Sequence, residues 1–138
     1  MVVTDTLTLP RAYVEAMIRH ARAFAPQECC GLIADEGGRA VRRYALRNDN
    51  PSVLRYTANP RDQLAAMRDM WDHDWDLLVI YHSHTHTPAY PSATDIRLAF
   101  YPDSYYVIVS LQEADRPHAR AYRIVDGAVT ECELRVID

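Results

Sequence analysis

No stretch of this 138-residue sequence approaches the roughly 20 consecutive apolar residues that a membrane-crossing helix requires. Its first residues, MVVTDTLTLP, lack the basic-then-apolar layout of a secretory leader. Cysteine is scarce and odd in number: Cys29 and Cys30 are adjacent and Cys132 stands alone, which argues against a disulfide framework. Positive charge is not in excess either. Fifteen basic side chains face 19 acidic ones, a net charge of −4, so the electrostatic footprint of a nucleic-acid binder is missing. Internal repeats, low-complexity segments and linkers are absent. These absences point to a reduced, cytoplasmic protein with neither membrane nor nucleic acid as partner. The length suits one domain spanning 1–138, and 49 % apolar with 25 % charged residues is ordinary for a globular chain.

The chain alternates strand and helix signals. Thr6 to Leu9 suit a short edge strand, and Pro10 opens a helix whose inner face is Val14, Met17, Ile18, Ala21 and Phe24, ended by Pro26. Cys29 to Ala34 form a compact apolar strand, and Gly37-Gly38 turns it back into Arg39 to Leu46, with Val41 and Leu46 inward. A loop-rich stretch from Asn48 to Pro60 is expected to contain a short strand at Arg55-Tyr56. Asn59 then caps a helix that reaches Trp71 or His73 and buries Leu64, Met67 and Trp71. Asp76 to His82 is a buried strand, Ala93 to Tyr101 a helix stopped by Pro102, and Tyr105 to Leu111 another strand. Two last strands, Ala119 to Val125 and Val129 to Val136, flank the turn at Asp126-Gly127. The fold class is therefore α/β, a mixed sheet with helices packed on it.

The chemistry concentrates in YHSHTHTPAYPSATD, residues 81–95. Side chains at i and i+2 of a strand share a face, so His82 and His84 project together from the strand's end. Asp95, eleven residues beyond His84, is a hard oxygen ligand. Two histidines and one aspartate with a fourth position open are the ligand set of a catalytic zinc rather than a structural one. Ser92-x-x-Asp95 also reads as a capping box, and one rigid helix start serves both readings. His86 is followed at once by Thr87-Pro88, which places it at the mouth of the site rather than on the metal. His20, His73 and His118 have no such company and read as surface or structural. Glu28, just ahead of an apolar strand, is a candidate general base, though position alone does not decide it. Amidohydrolase barrels also open on H-x-H but need about 250 residues. Zinc deaminases want H-x-E with P-C-x-x-C, which Cys29-Cys30 does not supply.

His82-Ser83-His84, seven residues, Ser92, two residues, Asp95, with Glu28 upstream, resembles the signature of the JAMM (MPN-plus) metallopeptidases. Pro26 to Leu32 is similar to that family's P-x-E-x-C-G-L strand entry. The likeness runs from about Leu9 to Glu131 and is closest to small bacterial members that process ubiquitin-like sulfur-carrier proteins. It implies a cytidine-deaminase-like sheet, one zinc on His82, His84 and Asp95, Glu28 as the proton-transferring base and Ser92 as a donor to the oxyanion. It also implies a partner, a small carrier ending in Gly-Gly, from which cysteine or a short peptide is released, with a homodimer left open. Tyr56, Thr85 and Tyr90 are placed along the substrate groove. A metal-free interaction scaffold of the same fold and an isopeptidase acting on other ubiquitin-like conjugates are the alternatives.

Overall fold

The structure, a computed structural model, describes residues 5–138. Its elements are β1 (Thr6–Pro10), α1 (Arg11–Phe24), β2 (Cys30–Glu36), β3 (Arg39–Leu46), α2 (Pro60–Asp72), β4 (Asp76–His84), α3 (Ala93–Arg97), β5 (Tyr105–Ser110), β6 (His118–Val125) and β7 (Ala128–Ile137). The seven strands form one sheet in the order β1-β7-β6-β5-β4-β2-β3. β1 runs parallel to β7 and β4 parallel to β5, whereas the other neighbours are antiparallel. The sheet curls enough for its end strands β1 and β3 to meet.

Turn chemistry fixes the hairpins. Gly37 and Gly38 have φ of 60° and 88°, and Asp126 and Gly127 have 50° and 81°. Left-handed backbone at both central residues gives a turn whose twist matches that of the flanking strands. Asn59 caps α2 by accepting the Asp62 N–H at 3.0 Å, and Pro60 occupies the first helical position, where a missing N–H costs nothing.

Strand alternation sends side chains to two cores. On one face Leu7, Leu9, Ile33, Val79, Tyr81 and Val107 pack with Met17 and Ala21 of α1. On the other, Leu32 and Leu46 pack with Ala66 and Met70 of α2, while Tyr106, Ile108, Tyr122 and Ile124 gather beside α3. Ile80 belongs to this second face, and His82 and His84 extend it by the same two-residue step.

The structure departs from the sequence expectation at several places. β4 continues through His84, so both histidines lie within regular strand. α3 ends at Arg97 instead of Tyr101. Arg55-Tyr56 is irregular chain, and the loop is closed instead by an isolated bridge from Asn48 to Ala58. α2 buries Ala66 and Met70, leaving Leu64 48 % and Trp71 68 % exposed. The helix carries apolar residues on two sides, and the side with Ala66 and Met70 faces the sheet, where the small Ala66 permits close approach. Phe24 also sits outside the core, at the exposed end of α1.

Candidate metal centre

His82 and His84 are held by β4 from both sides. Cys30 of β2 pairs with His82 and Ser110 of β5 pairs with His84, so neither backbone can slide. Asp95 arrives from α3, where the capping box is complete: the Ser92 hydroxyl accepts the Asp95 N–H at 3.0 Å, and Asp95 Oδ2 accepts the Ser92 N–H at 2.9 Å. That same Oδ2 stands 3.1 Å from His82 Nε2 and 3.0 Å from His84 Nε2, and the two nitrogens are 3.2 Å apart. Cap and site therefore share one oxygen atom.

This triangle fits a tetrahedral zinc. With bonds of about 2.0–2.1 Å, neighbouring ligand atoms stand about 3.3 Å apart. His84 Nδ1 lies 2.9 Å from the Pro88 carbonyl, which can only accept, so Nδ1 carries the proton and Nε2 of the neutral ring offers its lone pair inward. All three ligand atoms lie within 4.8 Å of one another, and among the described residues this is the group of histidine, cysteine and acidic side chains so arranged. Burial alone would raise the Asp95 carboxyl, but the two imidazoles and the Ser92 N–H outweigh it and hold the group well below the usual carboxylate range. Burial likewise disfavours charge on His84, yet Asp95 and the Pro88 carbonyl hold its imidazole above the ordinary value.

Glu28 is only 4 % exposed and lies two residues before the start of β2. Burial pushes its carboxyl up to about 7, with His84 opposing and Asp95 reinforcing the shift. Its Oε1 is buried without a hydrogen-bond partner. A buried polar atom is seldom left so unless a ligand or water belongs beside it. Ser92 Oγ, used as an acceptor by the cap, retains its own proton to donate.

Among the other sequence candidates, Tyr56 stacks on the His82 ring with centroids 4.8 Å apart. Thr85 is buried with its hydroxyl given to the Pro26 carbonyl, and Tyr90 packs edge-on against Tyr122. His86 is exposed and outside the triangle. His20 is structural, its Nδ1 2.7 Å from the Tyr81 hydroxyl. A cavity of ≈ 360 Å³ opens beside the triangle, lined by His82, Asp95, Cys30, Tyr56, Arg55 and Gln63 among others. Sequence reasoning misses this cavity because its walls come from short segments scattered between residues 30 and 124. Cys30 and Cys29 are buried, and burial pushes their thiols up to about 12 and about 11.

The profile of the prokaryotic homologs of the JAB domain matches residues 10–125. The chain belongs to that family. It is 46 % identical over 127 residues to the CysO-cysteine peptidase of Mycobacterium tuberculosis, covering 91 % of this chain and 87 % of the relative. It is 39 % identical over 103 residues to a probable TtuB-protein conjugate cleaving protease of Thermus thermophilus, covering 73 % and 68 %. A solution structure of a Desulfitobacterium hafniense protein superposes with a TM-score of 0.83 at 38 % identity, over 95 % of this chain and 92 % of that one. A crystal structure of a JAB1/MPN domain protein from Archaeoglobus fulgidus shares the fold, with a TM-score of 0.60 at 16 % identity, over 93 % and 98 %. Among the described residues no helix is long and apolar enough to cross a membrane.

Proposed function

We propose that this chain is a zinc peptidase that hydrolyses the bond after the C-terminal Gly-Gly of a ubiquitin-like sulfur-carrier protein, releasing cysteine or a short peptide. The observation that carries the reading is the convergence of His82, His84 and Asp95, with the buried, unpartnered Glu28 carboxyl close enough to feel the charges of His84 and Asp95. Its likeness to relatives named for cleaving CysO-cysteine and TtuB conjugates supports the substrate class. Three buried, unpaired thiols suit the cytoplasmic setting such carriers imply.

His82, His84 and Asp95 would hold the zinc, which when bound supplies a Lewis acid that polarises a carbonyl and lowers the pKa of water toward neutrality. Glu28 accepts a proton from the attacking water as its oxygen bonds to the scissile carbon, and delivers that proton to the nitrogen as the C–N bond breaks. A carboxyl held near neutrality by burial suits both halves of this transfer. Ser92 Oγ–H donates to the oxygen of the scissile carbonyl as negative charge grows there. β4, paired on both edges, keeps these groups from drifting during the reaction.

The test is metal analysis with intact-mass assay on mycobacterial CysO extended by one cysteine. One zinc per chain and loss of cysteine with the parent protein, but not with Glu28→Gln, is the expected result. Absence of zinc and of cleavage after metal is added back would overturn the reading in favour of a metal-free scaffold.

A further inference from the structure

The cavity beside the metal triangle is mostly apolar, with walls from Leu32, Leu46, Ala58, Ile80 and Phe100. Beyond the metal triangle, Arg55 and Gln63 are the long polar side chains of its lining. Arg55, on the loop between β3 and α2, is exposed, and Gln63 near the start of α2 is half-buried. Neither side chain has a hydrogen-bond or ion-pair partner among the described residues. Two neighbouring arginines are engaged: Arg42 pairs with Asp69 at 2.6 Å and Arg47 with Asp62 at 3.0 Å. Arg55 is the cation of the cavity lining, and Asp95 the lining carboxylate, already committed to the two histidines.

We infer that Arg55, assisted by the Gln63 amide, is the specificity-determining group that receives the free α-carboxylate of the residue released from the carrier. This rests on the peptidase reading above and narrows it. A guanidinium offers two parallel N–H donors to a carboxylate, and an amide NH2 adds a third. A single amino acid after the scissile bond carries its carboxylate two bonds from the leaving nitrogen, within a space of ≈ 360 Å³ that also takes its side chain against Cys30 and Tyr56. A lysine side chain in an isopeptide conjugate presents only methylenes at that distance from its nitrogen, so the cation would have no counter-charge. The cavity therefore selects processing of a carrier extended by one residue over release of a protein-linked carrier.

The experiment uses the zinc-loaded full chain and CysO extended by one cysteine, prepared either with a free carboxylate or as the carboxamide. Cleavage is followed by mass, and binding to the Glu28→Gln protein by calorimetry. The expected result is that the parent prefers the free acid by roughly tenfold or more in kcat/KM, carried mainly by KM, with a matching preference in binding. In Arg55→Ala the acid-to-carboxamide ratio falls to about one, and Arg55→Lys keeps part of the preference because the charge remains. Equal cleavage of acid and carboxamide by the parent, or an unchanged ratio in Arg55→Ala, overturns the role of Arg55 and leaves the peptidase reading standing. Cleavage of neither substrate overturns both. The parent's own ratio needs no variant, so a poorly folding mutant does not blunt the test.

Discussion

The Ser83 hydroxyl accepts the backbone N–H of Cys29 at 2.7 Å, and the Ser83 N–H returns a bond to the Cys29 carbonyl at 3.1 Å. Ser83 stands between the two metal-site histidines and points to the opposite face of β4. Its partner is the residue next to Glu28, so one serine ties the segment of the proposed base to the strand that carries His82 and His84.

Removing that hydroxyl leaves a buried N–H without an acceptor, a loss of about 1–3 kcal/mol. Ser83→Ala is therefore expected to lower the urea midpoint. It should also reduce kcat while the zinc content stays at one per chain, because the histidines keep their places and Glu28 does not. Unchanged kcat in a destabilised variant would show that Glu28 is positioned by other contacts.

Glu28→Gln should stop turnover and retain zinc. It should also alter stability in a defined direction when the metal is chelated. The folded carboxyl is held at about 7, above the roughly 4.3 of an unfolded glutamate. The folded state therefore binds the proton more tightly, and stability falls as pH rises between those values. The penalty is complete above about 7 and vanishes below about 4, and glutamine does not carry it. Chelated Glu28→Gln should accordingly outlast the chelated parent at pH values above that range and match it at acid pH, as read by denaturant midpoints.

Ser92 caps α3 and, in the proposed mechanism, donates to the oxyanion; two substitutions separate these roles. As an N-cap, its change to Ala costs about 1 kcal/mol and to Gly only a few tenths. As an oxyanion donor, its loss costs about 100-fold in kcat with either replacement. Equal kinetic damage from unequal destabilisation is the expected outcome. Damage that tracks stability would leave Ser92 as a cap alone.

Gly31 lies under the Tyr81 ring, where a Cβ would overlap the phenol. Tyr81 is fully buried, and its hydroxyl meets His20 and accepts from Arg43 at 2.9 Å, so it cannot yield. Gly31→Ala should cost about 1–3 kcal/mol, measured by thermal unfolding. It should also loosen β2 against β4 and lower zinc affinity along with stability.

The convergence of His82, His84 and Asp95 is legible in the amino-acid pattern because strand alternation and an S-x-x-D cap each dictate geometry over a few residues. The buried side of α2 is not. Apolar residues occupy two faces of that helix, and the choice between Leu64-Trp71 and Ala66-Met70 depends on how closely the sheet lets the helix approach. The apolar run from Leu98 to Tyr101 suggests a longer α3, yet Leu98, Phe100 and Tyr101 line the cavity and Ala99 packs on the core beside it. Arg55 resembles a strand residue because its neighbours favour extended backbone. Its significance depends on a cavity built from remote segments, which local pattern does not encode.

A catalyst that frees cysteine works beside a reactive thiol at every turnover. On the proposed reading the cavity beside the metal triangle receives the released cysteine; Cys30 lines that cavity, and its own thiol is pushed up to about 12 by burial. Only a thiolate attacks a disulfide, and only a thiolate is readily oxidised. Burial thus keeps the wall sulfur in its thiol form, a poor nucleophile toward a disulfide entering the cavity.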